Sequence, residues 1–489
     1  MAGEGLSRRH LFFGTLLAGA IPKGGFTSTP SLKAAGYKSP NEKLNIAAIG
    51  AGGRAETDIA GCSTENIVAF ADPDDVRAAP AYKKYEKAAR YRDFRKMLDK
   101  EAKNIDAVIV CIPDHSHTVA AMACMQLGKH VYVEKPLTRT LWEARLLADA
   151  AAKYKVATQM GNQGYSLEGE RIAAEVIWSG EIGNVTEIHA WTNRPVWPQG
   201  ITALPPEEKV PETLDWDVWL GPAAMRPYSS AYAPFNWRGW FDFGCGSLGD
   251  MACHILGAAN MALRPGAPTS VEVLMREGKN PYTFPKQSKT RFEFPARGSM
   301  PGFKLYWYDG AKEPAYRPES LGADEPYIGG AGAFGANGVI YTGGGPMRTP
   351  PPDSSAQARG SAAQLSANRP DSNGCLFIGE KGMITTDTYG ANVRLLPESR
   401  HKEYKLPPQL LTRSPGHYRD WIRAAKGGDP ACSNFAMSGP FTEWVLLGAM
   451  ALHFDGKLEW DAAKMKVTNL PEANNLIKPV YRRGWQVGL

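Results

Sequence analysis

The sequence predicts an α/β protein whose N-terminal part is a doubly wound parallel sheet. Three observations predict it. The run Leu44–Ala55 is a strand that breaks into glycines and continues as a helix. Asp72 closes the next apolar run, about 20 residues after the glycines, where dinucleotide-binding folds place an acid. Short apolar runs then alternate with helical stretches up to about residue 160, the order expected of βαβ units.

Leu44–Ile49, Asn66–Ala71, Ile105–Ile112 and His130–Val133 read as strands. Their apolar residues are continuous rather than alternating, as in strands buried on both faces. Asp74–Ala89, Thr118–Leu127 and Leu141–Tyr154 read as the helices between them, and Lys155–Met160 adds a further strand. In the first turn Gly50 makes the bend and Gly52 lets the backbone approach a pyrophosphate. Gly53 and Arg54 then open a helix whose free N–H groups face the phosphates, and small Ala55 permits close helix–strand packing. Asp72 is placed to bond the ribose hydroxyls. An acid there repels a 2′-phosphate, so NAD is expected over NADP, with Arg54 softening that preference.

Three later motifs carry chemistry. Pro113 to His117 follows a strand at its carboxyl end, where open α/β sheets bind ligands. Pro113 and His117 are therefore cofactor-side candidates. His115 and His117 raise the question of a metal, but no third ligand is evident and none is expected. Glu134-Lys135-Pro136 ends the next strand; the proline fixes the backbone, and a lysine aimed into the cleft can donate to the oxygen on a reacting carbon. Asp250 and His254 are four apart and share a helix face. There His254 can take a hydroxyl proton while Asp250 orients it. A helix N-cap and a satisfied core histidine explain the same pair equally well.

The chain has 489 residues, 43% of them apolar, enough for two or three domains with a full core. Its net charge of +6 is dispersed and accompanies no nucleic-acid motif, so no nucleic-acid partner is expected. The seven cysteines are odd in number and show no Cys-x-x-Cys pair, which argues against a disulfide scaffold. Arg8-Arg9 precedes a short apolar stretch, Leu11 to Ile21, and a small-residue site near Ala20. That order reads as a twin-arginine export signal, too short to anchor in a bilayer, and predicts a periplasmic protein. Residues 22–42 read as a linker.

Together Gly50-x-Gly52, Asp72, Tyr91-Arg-Asp93-Phe94, Pro113 to His117, Glu134-Lys135-Pro136, Asp250-x-x-x-His254 and Gly379-Glu-Lys-Gly382 resemble the glucose–fructose oxidoreductase and inositol dehydrogenase family (Gfo/Idh/MocA). The resemblance covers nearly everything after residue 43. It implies that Lys135, Asp250 and His254 act at the substrate and that a second α/β domain with a large open mixed or antiparallel sheet follows; Glu134 and Lys135, at their strand end, are also cofactor-side candidates. It also implies a homo-oligomer, a dimer or tetramer.

The expected domains are the Rossmann domain over 43–160, the substrate domain over 161–459, and a helical C-terminal segment over 460–489 that packs back on the body. Residues 311–372, rich in Gly and Pro, read as an insertion. Asn162 is expected at the cofactor. Gln163, Tyr165, Asn193, Arg194, Trp237 and Arg238 form a polar–aromatic set suited to a sugar. The expected function is an exported oxidoreductase that acts on a secondary alcohol of a sugar or glycoside and keeps NAD bound. Two rivals remain. One is a redox-assisted glycosidase resembling glycoside hydrolase family 109, although Met251-Ala252-Cys253-His254 departs from its Tyr-Pro-Thr-His. The other is a non-catalytic sugar-binding protein.

Overall fold

Asn45–Ile49 forms β1 at the centre of a six-stranded sheet ordered β3-β2-β1-β4-β5-β6. The other strands are β2 (Asn66–Ala71), β3 (Ala89–Tyr91), β4 (Ala107–Val110), β5 (His130–Val133) and β6 (Thr158–Met160). Every pairing is parallel. β1 lies between β2 and β4, so the connections leave it in opposite directions and a crevice opens at its carboxyl end. A computed structural model describes residues 42–311, 315–328, 333–334, 340–341 and 373–488. The twin-arginine run and most of the expected 311–372 insertion lie outside the described residues.

Two elements of this half are absent from the sequence reading. β3 has only three residues, with Arg90 exposed in the middle, and so lacks an apolar run. The helix Phe94–Glu101 follows it, started by Asp93, whose carboxylate accepts the Arg95 N–H.

The second sheet has eleven strands. In chain order they are β7 (Val185–Trp191), β8 (Ser270–Glu277), β9 (Gln287–Phe294), β10 (Phe303–Asp309), β11 (Ala333–Phe334), β12 (Ile340–Tyr341), β13 (Gly374–Gly379), β14 (Met383–Asp387), β15 (Val393–Leu396), β16 (Gly456–Asp461) and β17 (Lys466–Val467). Their spatial order is β12-β11-β15-β14-β13-β7-β10-β9-β8-β16-β17. Only the β7–β10 pair is parallel among these, so the sheet is mixed. In β9, Ser288, Thr290, Phe292 and Phe294 are buried while the residues between them are not, the alternation of a sheet with one face on the core. The apolar helix Phe435–Ala451 lies in that core and is buried on almost every side.

The halves are not cleanly separated at residue 160. One face of the first sheet buries Ile46, Ala48, Phe70, Ile109 and Tyr132 against Tyr418, Trp421 and Ile422 of the helix His417–Ala425. The C-terminal segment packs on the body but is not helical as the sequence suggested. β16 pairs with β8 through residues 456–459, and its last residues, Trp460 and Asp461, open the segment by pairing with β17. A short 3-10 turn, Pro471–Leu476, and extended chain follow. Trp485 then lies against Phe94, with Arg95 stacked 3.9 Å over its ring.

Candidate active site

The crevice at the end of β1 continues into a cleft of about 480 Å³, within the range of small-molecule sites. Gly50, Gly52, Gly53, Asp72 and Pro113 line one end; Lys135, Asp250, His254, Arg194 and Arg238 line the other. The chain after β7 reaches the segment that follows Asp72. Asp75 N–H donates to the Thr213 carbonyl at 3.0 Å and Asp215 N–H to the Pro73 carbonyl at 2.8 Å. Trp216, Trp219, Trp240 and Phe243 give that stretch an apolar core of its own.

The glycines allow close approach of backbone to backbone. A Cβ on Gly50 would stand 2.1 Å from the Cys111 carbonyl oxygen, and one on Gly52 would stand 2.3 Å from that of Arg77. The open side of Gly52 thus faces protein rather than the pyrophosphate expected from the sequence. Gly53, at φ 63°, starts the helix Arg54–Gly61, and the Glu56 carboxylate accepts its N–H. Asp72 is nearly buried; its two oxygens accept the N–H groups of Ala51 and Asp74 at 2.8 and 3.0 Å. Burial pushes this carboxyl above its ordinary value. Each oxygen keeps a second lone pair for a ribose hydroxyl. A glycine loop opening a helix, a carboxylate at the end of β2 and a cleft between them fit NAD.

Arg54 does not extend toward a 2′-phosphate. Its guanidinium turns under the cleft, 3.0 Å from Asp58 and 3.1 Å from Glu134, with Tyr418 as a third partner. Burial pushes Asp58 up to about 7. Burial also acts to raise Glu134, but Arg54 and Lys135 outweigh it and hold the carboxylate below its ordinary range. Glu134 further accepts from Tyr132, Gln163 and the Lys135 N–H.

The two histidines of the Pro113 loop are structural. His117 is buried, its ring between the carbonyls of Pro136 at 2.9 Å and Ile112 at 2.8 Å, so it joins two cleft loops without lining the cleft. His115 likewise reaches the carbonyls of Trp219 and Phe243. Burial lowers both, His115 to about 3. No cluster of three or more metal-ligating side chains occurs among the described residues.

At the far end Lys135 Nζ donates to Asp250 Oδ1 at 2.6 Å. Burial alone would lower this amine, but Asp250 and Glu134 hold it above its ordinary value. Reciprocally, Lys135 and Arg238 hold Asp250 well below the usual carboxylate range against burial. Asp250 and His254 occupy one face of the helix Gly246–Ile255. His254 is buried, and its Nδ1 has no hydrogen-bond partner in the structure. Burial, then the Lys135 charge, lowers it to about 3, so the imidazole is neutral.

Of the remaining expected residues, Gln163, Arg194, Trp237 and Arg238 line the cleft. Asn162 does not: it is fully buried and its Oδ1 accepts from Ser433. Tyr165 is in the core, its hydroxyl against Asn260. Asn193 is exposed and pairs through its N–H with Asn373, away from the cleft wall. Sequence reasoning missed Tyr389, whose ring meets His254 edge-on at 4.8 Å, and Arg77, which stands over Gly53. It also missed Asp114, a buried cleft carboxyl that burial pushes up to about 7. Only Asp114, inside the Pro113–His117 run, carried a local signal.

The comparisons with known proteins agree with this fold. The model of an oxidoreductase family with an NAD-binding Rossmann fold matches residues 44–162, and that of the family's C-terminal alpha/beta domain matches residues 178–280. Residues 44–162 are an NAD-binding Rossmann domain. The chain is 25% identical over 194 residues to levoglucosan dehydrogenase of Pseudarthrobacter phenanthrenivorans, covering 40% of this chain and 41% of that protein. It is 31% identical over 157 residues to an inositol 2-dehydrogenase of Serratia proteamaculans, covering 31% and 46%. The chain thus spans less than half the length of these curated relatives. In fold it is similar to GenD2 from gentamicin A biosynthesis, solved in complex with NAD. The TM-score is 0.52 at 16% identity, over 87% of this chain and 99% of that one. An oxidoreductase domain protein from Kribbella flavida gives a TM-score of 0.51 at 19% identity, over 84% and 97%.

Proposed function

We propose that this chain is an NAD-dependent oxidoreductase of the Gfo/Idh/MocA family that acts on a secondary alcohol of a sugar or glycoside. One observation carries the reading: a protonated lysine, Lys135, and a neutral histidine, His254, line the same cleft as the glycine loop. The matched family models and the inositol and levoglucosan dehydrogenases support it.

When bound, NAD supplies the hydride acceptor, or the donor in reverse; Gly50, Gly53, Asp72, Pro113 and Glu134 would hold it. The chain's own residues manage the proton. Lys135 is charged and can only donate, so it holds the substrate oxygen and stabilises negative charge there. His254 is neutral and accepts the hydroxyl proton. Glu134 and Asp250 offset the charge the imidazole then gains. Asp250 positions Lys135 until substrate competes for the ammonium.

We also propose that the protein is exported with its cofactor inside and assembles as a dimer or tetramer. The Arg8-Arg9 run and the large mixed sheet support these points. The test is incubation of purified protein with NAD and a panel of free sugars and aryl glycosides. The expected result is NADH together with a keto-sugar. Aglycone release without net NADH would replace this reading with the glycosidase.

A further inference from the structure

Two cationic side chains meet one carboxylate at the substrate end of the cleft, and a third, Arg194, lines the same cleft. Lys135 holds Asp250 Oδ1 at 2.6 Å, and Arg238 Nε stands 3.5 Å from the same oxygen. Arg194 lies close enough to act on Asp250 electrostatically, yet its guanidinium makes no hydrogen bond or ion pair with another described residue. The other acids nearby do not restore the balance: Glu134 is engaged by Arg54, and burial keeps Asp114 partly protonated near neutral pH.

The arginines are also supported on an aromatic shelf. Arg238 stacks 4.3 Å over Trp237 and 4.6 Å over Phe235, and both arginines lie 5.9 Å from Trp197. Stacking fixes a guanidinium in place; Arg238 spends Nη1 on the Phe235 carbonyl at 3.1 Å and turns Nε to Asp250, which leaves its Nη2 and the Arg194 fork to match a planar or tetrahedral oxyanion. A neutral sugar offers nothing to compensate these charges once it displaces water.

We propose that the substrate is a sugar carrying an anionic group, a carboxylate or a sulfate ester, seated between Arg194 and Arg238. This rests on the proposal that the cleft acts on a sugar alcohol. Arg238 shares Asp250 with Lys135, and Arg194 lies beside the same Trp197 ring as Arg238, so the anion sits beside the reacting carbon rather than at the glycine loop.

The test uses the full chain with NAD and a panel of hexuronates, the matching hexoses and hexose 6-sulfates. Binding is read by tryptophan fluorescence and turnover by NADH. Anionic sugars are expected to bind about 30-fold tighter than their neutral parents, the worth of one charge-assisted bond. Arg194→Gln should erase most of that difference by raising KM for the acid far more than KM for the hexose. Arg194→Lys should restore part of it, and unchanged circular dichroism shows that both variants fold. Tight sulfates with weak uronates identify the sulfate ester as the source. Equal handling of acids and hexoses, unmoved by Arg194→Gln, overturns the anionic substrate and leaves the oxidoreductase standing. NAD binding with no sugar bound or oxidised overturns both.

Discussion

Lys135 is pinned by both ends of Asp250: its Nζ donates to the side-chain Oδ1 at 2.6 Å and to the backbone carbonyl at 3.0 Å. The ammonium therefore reaches substrate only as far as Asp250 lets it. Lys135→Met is expected to lower kcat by about 10²–10⁴, the usual contribution of one proton-handling or oxygen-polarising group. NAD affinity should hardly move. Steady-state kinetics with calorimetric NAD titration checks both; parallel losses would assign Lys135 to the cofactor instead.

The pH profile follows from two groups with opposite shifts. His254 is lowered from 6.5 to about 3, so it stays a proton acceptor through the neutral range and puts no limb near 6.5. Asp114 is raised to about 7 and lines the same cleft. A limb near pH 7 in kcat/KM is thus expected to belong to Asp114 and to vanish in Asp114→Asn. A limb that survives that substitution would contradict the assignment.

Gly52 touches backbone, which cannot yield as a side-chain tip would. A Cβ there meets the Arg77 carbonyl oxygen at 2.3 Å. Gly52→Ala is expected to cost about 1–3 kcal/mol by overpacking and to weaken NAD binding as the loop shifts. Thermal denaturation with and without NAD measures both.

Glu170 is fully buried, and neither carboxyl oxygen has a hydrogen-bond partner in the structure. Burial pushes it well above 4.5, so the folded protein keeps a proton that the unfolded chain has lost. Stability from this site is present below 4.5 and falls as pH rises, by up to about 1.4 kcal/mol per unit. Glu170→Gln should remove that slope and gain stability on wild type as pH rises. Urea denaturation across a pH series is the check, and a constant difference would mean that Glu170 ionises freely.

Much of this was legible in the sequence because the relevant signals are local. β1, β2, β4 and β5 read as continuous apolar runs since both faces are buried. Lys135, Asp250 and His254 could be named because each sits in a short motif, and the structure places all three on one cleft. Tyr389 was not legible: it comes from the turn between β14 and β15, which only the second sheet carries to His254. Tyr165 and Asn193 failed for the opposite reason. Adjacency to a motif says nothing about direction, and one side chain enters the core while the other faces solvent. The tail after residue 460 misled because its extended chain and 3-10 turn gain their order from distant contacts, such as Tyr481 with Glu143 and Arg482 with Asp217.

The helix His417–Ala425 has a consequence for the order of events during synthesis. It covers one face of the first sheet, and its Tyr418 hydroxyl donates to buried Asp58 at 2.7 Å. The nucleotide half therefore cannot finish its core until nearly all of the polypeptide has left the ribosome. Closing a loop of that span is slow and leaves apolar strand faces waiting for cover. A nascent chain cut short before residue 417 should be a chaperone client rather than a small independent domain.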